Sequence, residues 1–261
     1  MSQQSFDTRA KELASAFAAK DYERSAQLLP ALKTTLSQLN ILVPLPSSDP
    51  SLLATARDIL EIGALTSIFL SDDVQFSRYI SQLSPFYALK DKIQPRSVNE
   101  KKLIALRLLF LLSTNDIAQF HTELETLEDE ADSDVYIKYP VVLERWLMEG
   151  SYDKVWKATT QKSEVPAEEF AIFADILVNT IRNEIANSSE KAYTSLPLSN
   201  AKHLLFFTSD DDLLDFIHER GWEVRVNRIY FPKEETLENG IAVERIIENT
   251  LGYARELETI V

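Results

Sequence analysis

Four stretches of this chain carry the same local pattern. A helix-forming run ends in a polar turn, and a new run then opens with an acid and an aromatic or aliphatic residue. They are KDYERSAQLL (20–29), SDDVQFSRYI (71–80), TNDIAQFHTEL (114–124) and GSYDKVWKA (150–158). Glycine and proline, the strongest helix breakers, number only five and ten in 261 residues. Before residue 220, nearly everything between the turns therefore reads as helix. The periodicity predicts helices over Phe6–Ala19, with Leu13 and Phe17 on one face, and from Asp21 onward, followed by a proline-rich loop at 40–50. Ser51–Leu70 pairs with Asp72–Leu83, and Pro85 and Pro95 bracket a linker. Ser97–Ser113 pairs with Asp116–Leu127, an acidic loop fills 128–134, and Pro140–Glu149 pairs with Ser151–Thr160 about a hinge at Gly150. Helix pairs recurring every 35 to 50 residues or so cannot bury their apolar faces alone. They stack into an α-solenoid of the tetratricopeptide (TPR) kind.

Glu168–Ala186 predicts a further helix on the order of 30 Å long, and after it the pattern changes. Ser199 to Pro232 reads as helix, turn, helix and hairpin. Ala201, Leu204 and Leu205 stripe the first helix. Ser209 with Asp212 has capping-box spacing for the second, which buries Leu213, Leu214, Phe216 and Ile217 and stops at Gly221. The period then falls from 3.6 to 2. Val224 and Val226 alternate with Glu223 and Arg225, and Ile229 and Phe231 with Arg228 and Tyr230, around a reversal at Asn227. Two helices capped by a hairpin make a winged helix, a fold that binds DNA, RNA or proteins.

Charge weighs against nucleic acid. The formal net charge is −14, and phosphate binding rests on Lys and Arg. The would-be recognition helix carries Asp210, Asp211, Asp212, Asp215 and Glu219 against Arg220. A protein partner is the expectation, with Arg225, Arg228, Ile229 and Tyr230 of the wing as candidate interface residues. Catalysis needs groups that converge, and none are visible. The histidines, His121, His203 and His218, form no metal-ligand pair, there is no cysteine, and five scattered glycines build no phosphate loop. Trp146, Tyr152 and Trp156 surround a hairpin turn and read as inter-helix packing rather than a ligand cage. The sequence thus predicts no enzyme, no cofactor, no metal and no small-molecule substrate. No apolar run is long enough for a membrane span, and the acid-bearing amphipathic start resembles neither signal nor transit peptide.

Past a polar linker (233–240), Val243, Ile247, Thr250, Ala254, Leu257 and Val261 follow alternating steps of four and three, the spacing of a bundle seam. A helix folded back on its own domain would show the same spacing. The regions expected are helical repeats over 1–165, a linking helix with winged helix over 166–232, and a linker with C-terminal helix over 233–261.

Helical repeats running into a winged helix form the architecture of the PCI domain. YPVVLERWLMEGSYDKVWKA (139–158), FADILVNTIRNEIANSSEKAY (173–193), SLPLSNAKHLLFF (195–207) and the ending GYARELETIV (252–261) resemble the PCI-domain subunits of the 26S proteasome lid. The resemblance runs essentially end to end. It implies a mainly α, non-catalytic scaffold subunit, partnered by other PCI subunits through winged-helix contacts and a bundle of C-terminal helices, in cytoplasm and nucleus. PCI subunits of the signalosome or of initiation factor three are the alternatives within the class.

Overall fold

The computed structural model describes residues 3–44, 49–89, 97–127, 134–160, 165–207, 209–231, 250–251 and 255. It is mainly α, as expected, and divides into two compact units, Met1–Ile181 and Arg182–Val261.

The first unit contains α1 (Gln3–Ala18), α2 (Tyr22–Gln38), α3 (Pro50–Phe69), α4 (Asp73–Ala88), α5 (Glu100–Ser113), α6 (Ile117–Glu125), α7 (Val135–Met148), α8 (Tyr152–Thr160) and the start of α9 (Glu168–Ala192). All four recurrent turns have one geometry. The residue after each first helix, Lys20, Ser71, Asn115 or Gly150, takes a left-handed φ between 55° and 70°. Its N–H and the next N–H turn back onto the helix: Asp72 donates to Ser67 and Asp116 to Leu111, closing a Schellman motif. The acid that ends one helix also caps the next. Oδ1 of Asp21, Asp72 and Asp116 accepts from N of Arg24, Gln75 and Gln119 at 3.1, 3.0 and 3.2 Å. Two residues thus reverse the chain with few orphan backbone groups left.

Such tight turns set neighbouring helices antiparallel, and α1, α3, α5 and α7 form a row, each packed on the next. α2, α4, α6 and α8 pack against the preceding members of that row. Middle members are therefore covered on most sides. Leu103, Ala105, Leu106, Leu108, Leu109, Leu111 and Leu112 of α5 are all buried. Phe76 of α4, Phe110 of α5 and Phe173 of α9 meet in a triangle of rings with centroids 5.6–5.7 Å apart. A polar network lies inside: Tyr87 Oη and Ser97 Oγ donate to Glu61 at 3.1 and 2.7 Å, and Arg57 stands 3.7 Å away.

Several expectations are corrected here. Pro85 does not bracket a linker; α4 runs through it to Ala88. The lost backbone donor is outweighed by burial of Leu83 and Phe86 on either side. Pro140 likewise lies inside α7, which starts at Val135 under an Asp134 cap. Trp146 and Trp156 are half-buried, while Leu143, Val155 and Ala158 form the core of that hairpin.

The second unit holds the end of α9, which extends to Ala192, then β1 (Ser195–Pro197), α10 (Leu198–Leu204), α11 (Asp210–Glu219), β2 (Glu223–Arg225) and β3 (Arg228–Tyr230). The winged helix is present, but its sheet has three strands in the order β1-β3-β2, all antiparallel. Leu213 and Ile217 of α11 are buried, whereas Leu214 is exposed. The Ser209 hydroxyl accepts from N of Asp211, one position before the capping-box partner. Arg182 donates to the carbonyls of Leu205 and Phe206 at the end of α10 and lies over the Phe207 ring. Burial pulls its pKa down, and Asp212 opposes that shift. Trp222, Phe216 and Phe231 close the core, and the Trp222 indole N–H donates to Glu190 at 2.7 Å.

Candidate protein-docking interface

β3 lies between the other two strands, so Ile229 is fully buried and belongs to the core. Its placement among interface residues is corrected by that position. Arg225, Arg228 and Tyr230 are brought together on the exposed face of the hairpin. Arg225 stands directly across from Arg228, an unfavourable like-charge pair, and Glu223 offsets part of it through an ion pair with Arg225.

The two sheet edges differ. Val226 and Asn227 have φ of 47° and 62°, the two left-handed residues of a type I′ turn. A two-residue turn makes its flanking pair, Arg225 and Arg228, the hydrogen-bonded one, and hydrogen-bonded and non-bonded pairs alternate along the ladder. Val224, opposite Ile229, therefore directs its N–H and C=O away from β3 toward the open edge. On the other side, Leu198 N donates to Asn227 O at 3.1 Å. By the same alternation Leu196 bonds Ile229, and the nitrogens turned outward on β1 are those of Ser195 and Pro197, the second of which has no proton to offer. One edge is blunted by proline, and the other is open.

The apolar side chains follow this asymmetry. Val224 and Val226, which alternate with Glu223 and Arg225, are 43% and 98% exposed. β2 overhangs the core, and Val226 sits at the turn tip. A β-branched residue in left-handed backbone costs roughly 1–2 kcal/mol. On α11, Asp210, Asp211, Asp212, Asp215 and Glu219 are all exposed, so the groove-entering helix presents carboxylates.

The histidines do not converge among the described residues. His121 Nε2 lies 3.3 Å from Glu144, and His203 and His218 are exposed on separate helices. Among the described residues no group of side chains could hold a metal ion, and no helix is long and apolar enough to cross a membrane. A cleft of about 640 Å³ between α4, α5 and α6 is walled by Ile80, Tyr87, Ile104 and Leu127. Its Arg107 is tied to Glu123 at 3.0 Å. Of the C-terminal seam, Val243, Ile247, Ala254, Leu257 and Val261 lie outside the described residues, and Thr250 is helical and exposed.

A family model for CSN8/PSMD8/EIF3K matches residues 98–239, from α5 past the winged helix. The chain belongs to the CSN8/PSMD8/EIF3K family. Relatives of this member extend the match to the repeats. It is 37% identical to the 26S proteasome regulatory subunit RPN12 of Saccharomyces cerevisiae, over 96% of this chain and 97% of that protein. It is 40% identical to the 26S proteasome non-ATPase regulatory subunit 8 homolog A of Arabidopsis thaliana, over 94% of each. It is 36% identical to the 26S proteasome regulatory subunit rpn12 of Schizosaccharomyces pombe, over 95% of this chain and 97% of that protein. The resemblance carried by ERWLMEGSY and LPLSNAKHLLFF is borne out. In this family member the open β2 edge, the exposed Val224 and Val226, and the Arg225–Arg228 pair form one continuous feature.

Proposed function

We propose that this chain is a non-catalytic scaffold subunit of the 26S proteasome lid, supporting degradation of ubiquitinated proteins in cytoplasm and nucleus. The observation that carries the reading is similarity over nearly the whole chain to proteins named as 26S proteasome regulatory subunits. Its partners are other PCI subunits. A neighbour's strand continues the sheet from β2, where Val224 offers an unanswered donor and acceptor. The exposed valine in a strained turn supports contact at the wing, since buried contact would repay both its hydration and its backbone cost. The C-terminal residues Val243, Ile247, Thr250, Ala254, Leu257 and Val261 extend the reading to a helix bundle.

The rival within the family is a subunit of the signalosome or initiation factor three, and the three relatives cited argue against it. A nucleic-acid reader is disfavoured by the carboxylates of α11. Affinity purification of the tagged chain with mass spectrometry tests the assignment. Recovery of proteasome regulatory subunits supports it, and recovery of signalosome or initiation-factor subunits instead refutes it. Val224→Pro tests the edge. It removes a donor that β3 does not use, so the free chain should keep its melting temperature while recovery of the complex falls. An unchanged recovery would exclude strand addition.

A further inference from the structure

Two cations stand close together on the α2–α4 face. Lys33 Nζ of α2 lies 3.5 Å over the ring of Tyr79 in α4. Arg78, the next residue along α4, is close enough to act on Lys33, whose pKa is lowered by burial and by that second cation. Among the described residues neither cation has a carboxylate in ion-pair contact. In a chain with 41 acidic and 27 basic side chains, two adjoining cations left without an acid run against the prevailing charge.

Alongside Arg78 runs an open groove of about 570 Å³, lined by Val74, Arg78, Gln82 and Asp73 of α4 and by Phe110 of α5, with two serine hydroxyls. Val74, Arg78 and Gln82 are spaced four residues apart and so share one helix face. Along that face the groove offers an exposed apolar patch, a cation and an acceptor. The acceptor is Gln82 Oε1, shielded from solvent and without a donor, a costly state for a buried polar atom.

We propose that the Val74–Arg78–Gln82 stripe, with Lys33 beside it, docks an acidic, extended segment of a partner protein. A carboxylate of the segment pairs with Arg78, and the Lys33 charge adds to the attraction. An apolar side chain covers Val74 and the Phe110 ring, and the Gln82 amide turns outward so that a backbone N–H of the segment supplies the donor its oxygen lacks in the free chain. Peptide chemistry provides all three, whereas a polyphosphate has neither the apolar group nor the donor. This inference goes beyond the assignment above and does not depend on it.

The test is fluorescence anisotropy with the full chain at low salt, using a fluorescein-labelled peptide of four Asp-Glu-Leu repeats. Its neutral counterpart of four Asn-Gln-Leu repeats and a twelve-nucleotide oligothymidylate serve as comparison probes. The acidic peptide should bind, and the neutral one should bind at least about tenfold more weakly. Arg78→Glu should weaken the acidic peptide by about tenfold or more, with Arg78→Gln and Lys33→Gln as milder variants in the same direction. Lys154→Glu, an equal charge change on exposed α8, should leave binding unchanged. Equal affinity for both peptides, no binding of the acidic one, or an equal effect of Lys154→Glu overturns the proposal. So does tighter oligothymidylate binding with the same Arg78 dependence, which would make the site a nucleic-acid contact. A self-associated species dissolved by Arg78→Glu would make the occupant a second copy, and the proposal would fail.

Discussion

Gly63→Ala measures how hard α3 and α4 press together. A Cβ at Gly63 would stand 2.5 Å from Tyr79 Cε1, 2.7 Å from Cζ and 3.0 Å from Cδ1. Carbon atoms prefer roughly 3.5–4.0 Å, so the ring must retreat by about an ångström. Alanine gains about 0.8–1.0 kcal/mol of helix propensity over glycine. Against this, forcing a methyl into a packed core costs about 1–3 kcal/mol. The ring has little room to yield, being 5% exposed with Lys33 seated on it, and losing that cation–π contact adds about 0.5–1 kcal/mol. The net is a loss of about 0.5–3 kcal/mol, or about 1–12 °C in Tm for a chain of this size. Differential scanning calorimetry of the free chain reads the shift. The double variant Gly63→Ala, Tyr79→Leu should lose less than the two single losses added, because the shorter side chain vacates the space. A Gly63→Ala protein melting at or above the native temperature would mean that propensity wins and that the close crossing is not a constraint.

Three further outcomes follow from burial and charge. Phe173→Ala empties the ring triangle and should cost about 3–5 kcal/mol, whereas Trp146→Ala and Trp156→Ala, at half-buried sites, should each cost about 1–2 kcal/mol; equal losses on urea unfolding would put the tryptophans in the core. Burial raises the pKa of Glu61 despite hydrogen bonds from Ser97 and Tyr87 and the charge of Arg57. A carboxyl raised in the folded state contributes most below its ordinary value of 4.5 and loses that contribution as pH rises through the folded value. The Tm of Glu61→Gln relative to the native chain should therefore climb between pH 4 and pH 7, and a falling difference refutes the assignment. Deleting residues 240–261 should leave the melting of the free chain within about 1 °C while blocking its recovery in the complex, the outcome a seam used only between subunits requires; a clear drop in Tm would show that the segment packs on its own unit.

Local chemistry made the turns legible from sequence. Asp21, Asp72 and Asp116 cap the next helix through bonds spanning three residues, and Gly150 and Gly221 supply left-handed backbone, so short windows of sequence contain the whole cause. The same holds for the hairpin, where Arg225, Arg228 and Tyr230 alternate to one face as read. Tertiary structure decided what depends on neighbours remote in the chain. Pro85 and Pro140 stay helical because buried flanking residues repay the missing bond. β1 exists only because Leu196 finds Ile229, and that pairing turns Ile229 from an edge residue into core and leaves β2 as the open edge. Lys33 and Tyr79 lie on different helices, and no periodicity in either announces that the ammonium group seats on the ring. Spacing fixes which hydrogen bonds a segment makes with itself, but burial and strand order are set by what packs against it.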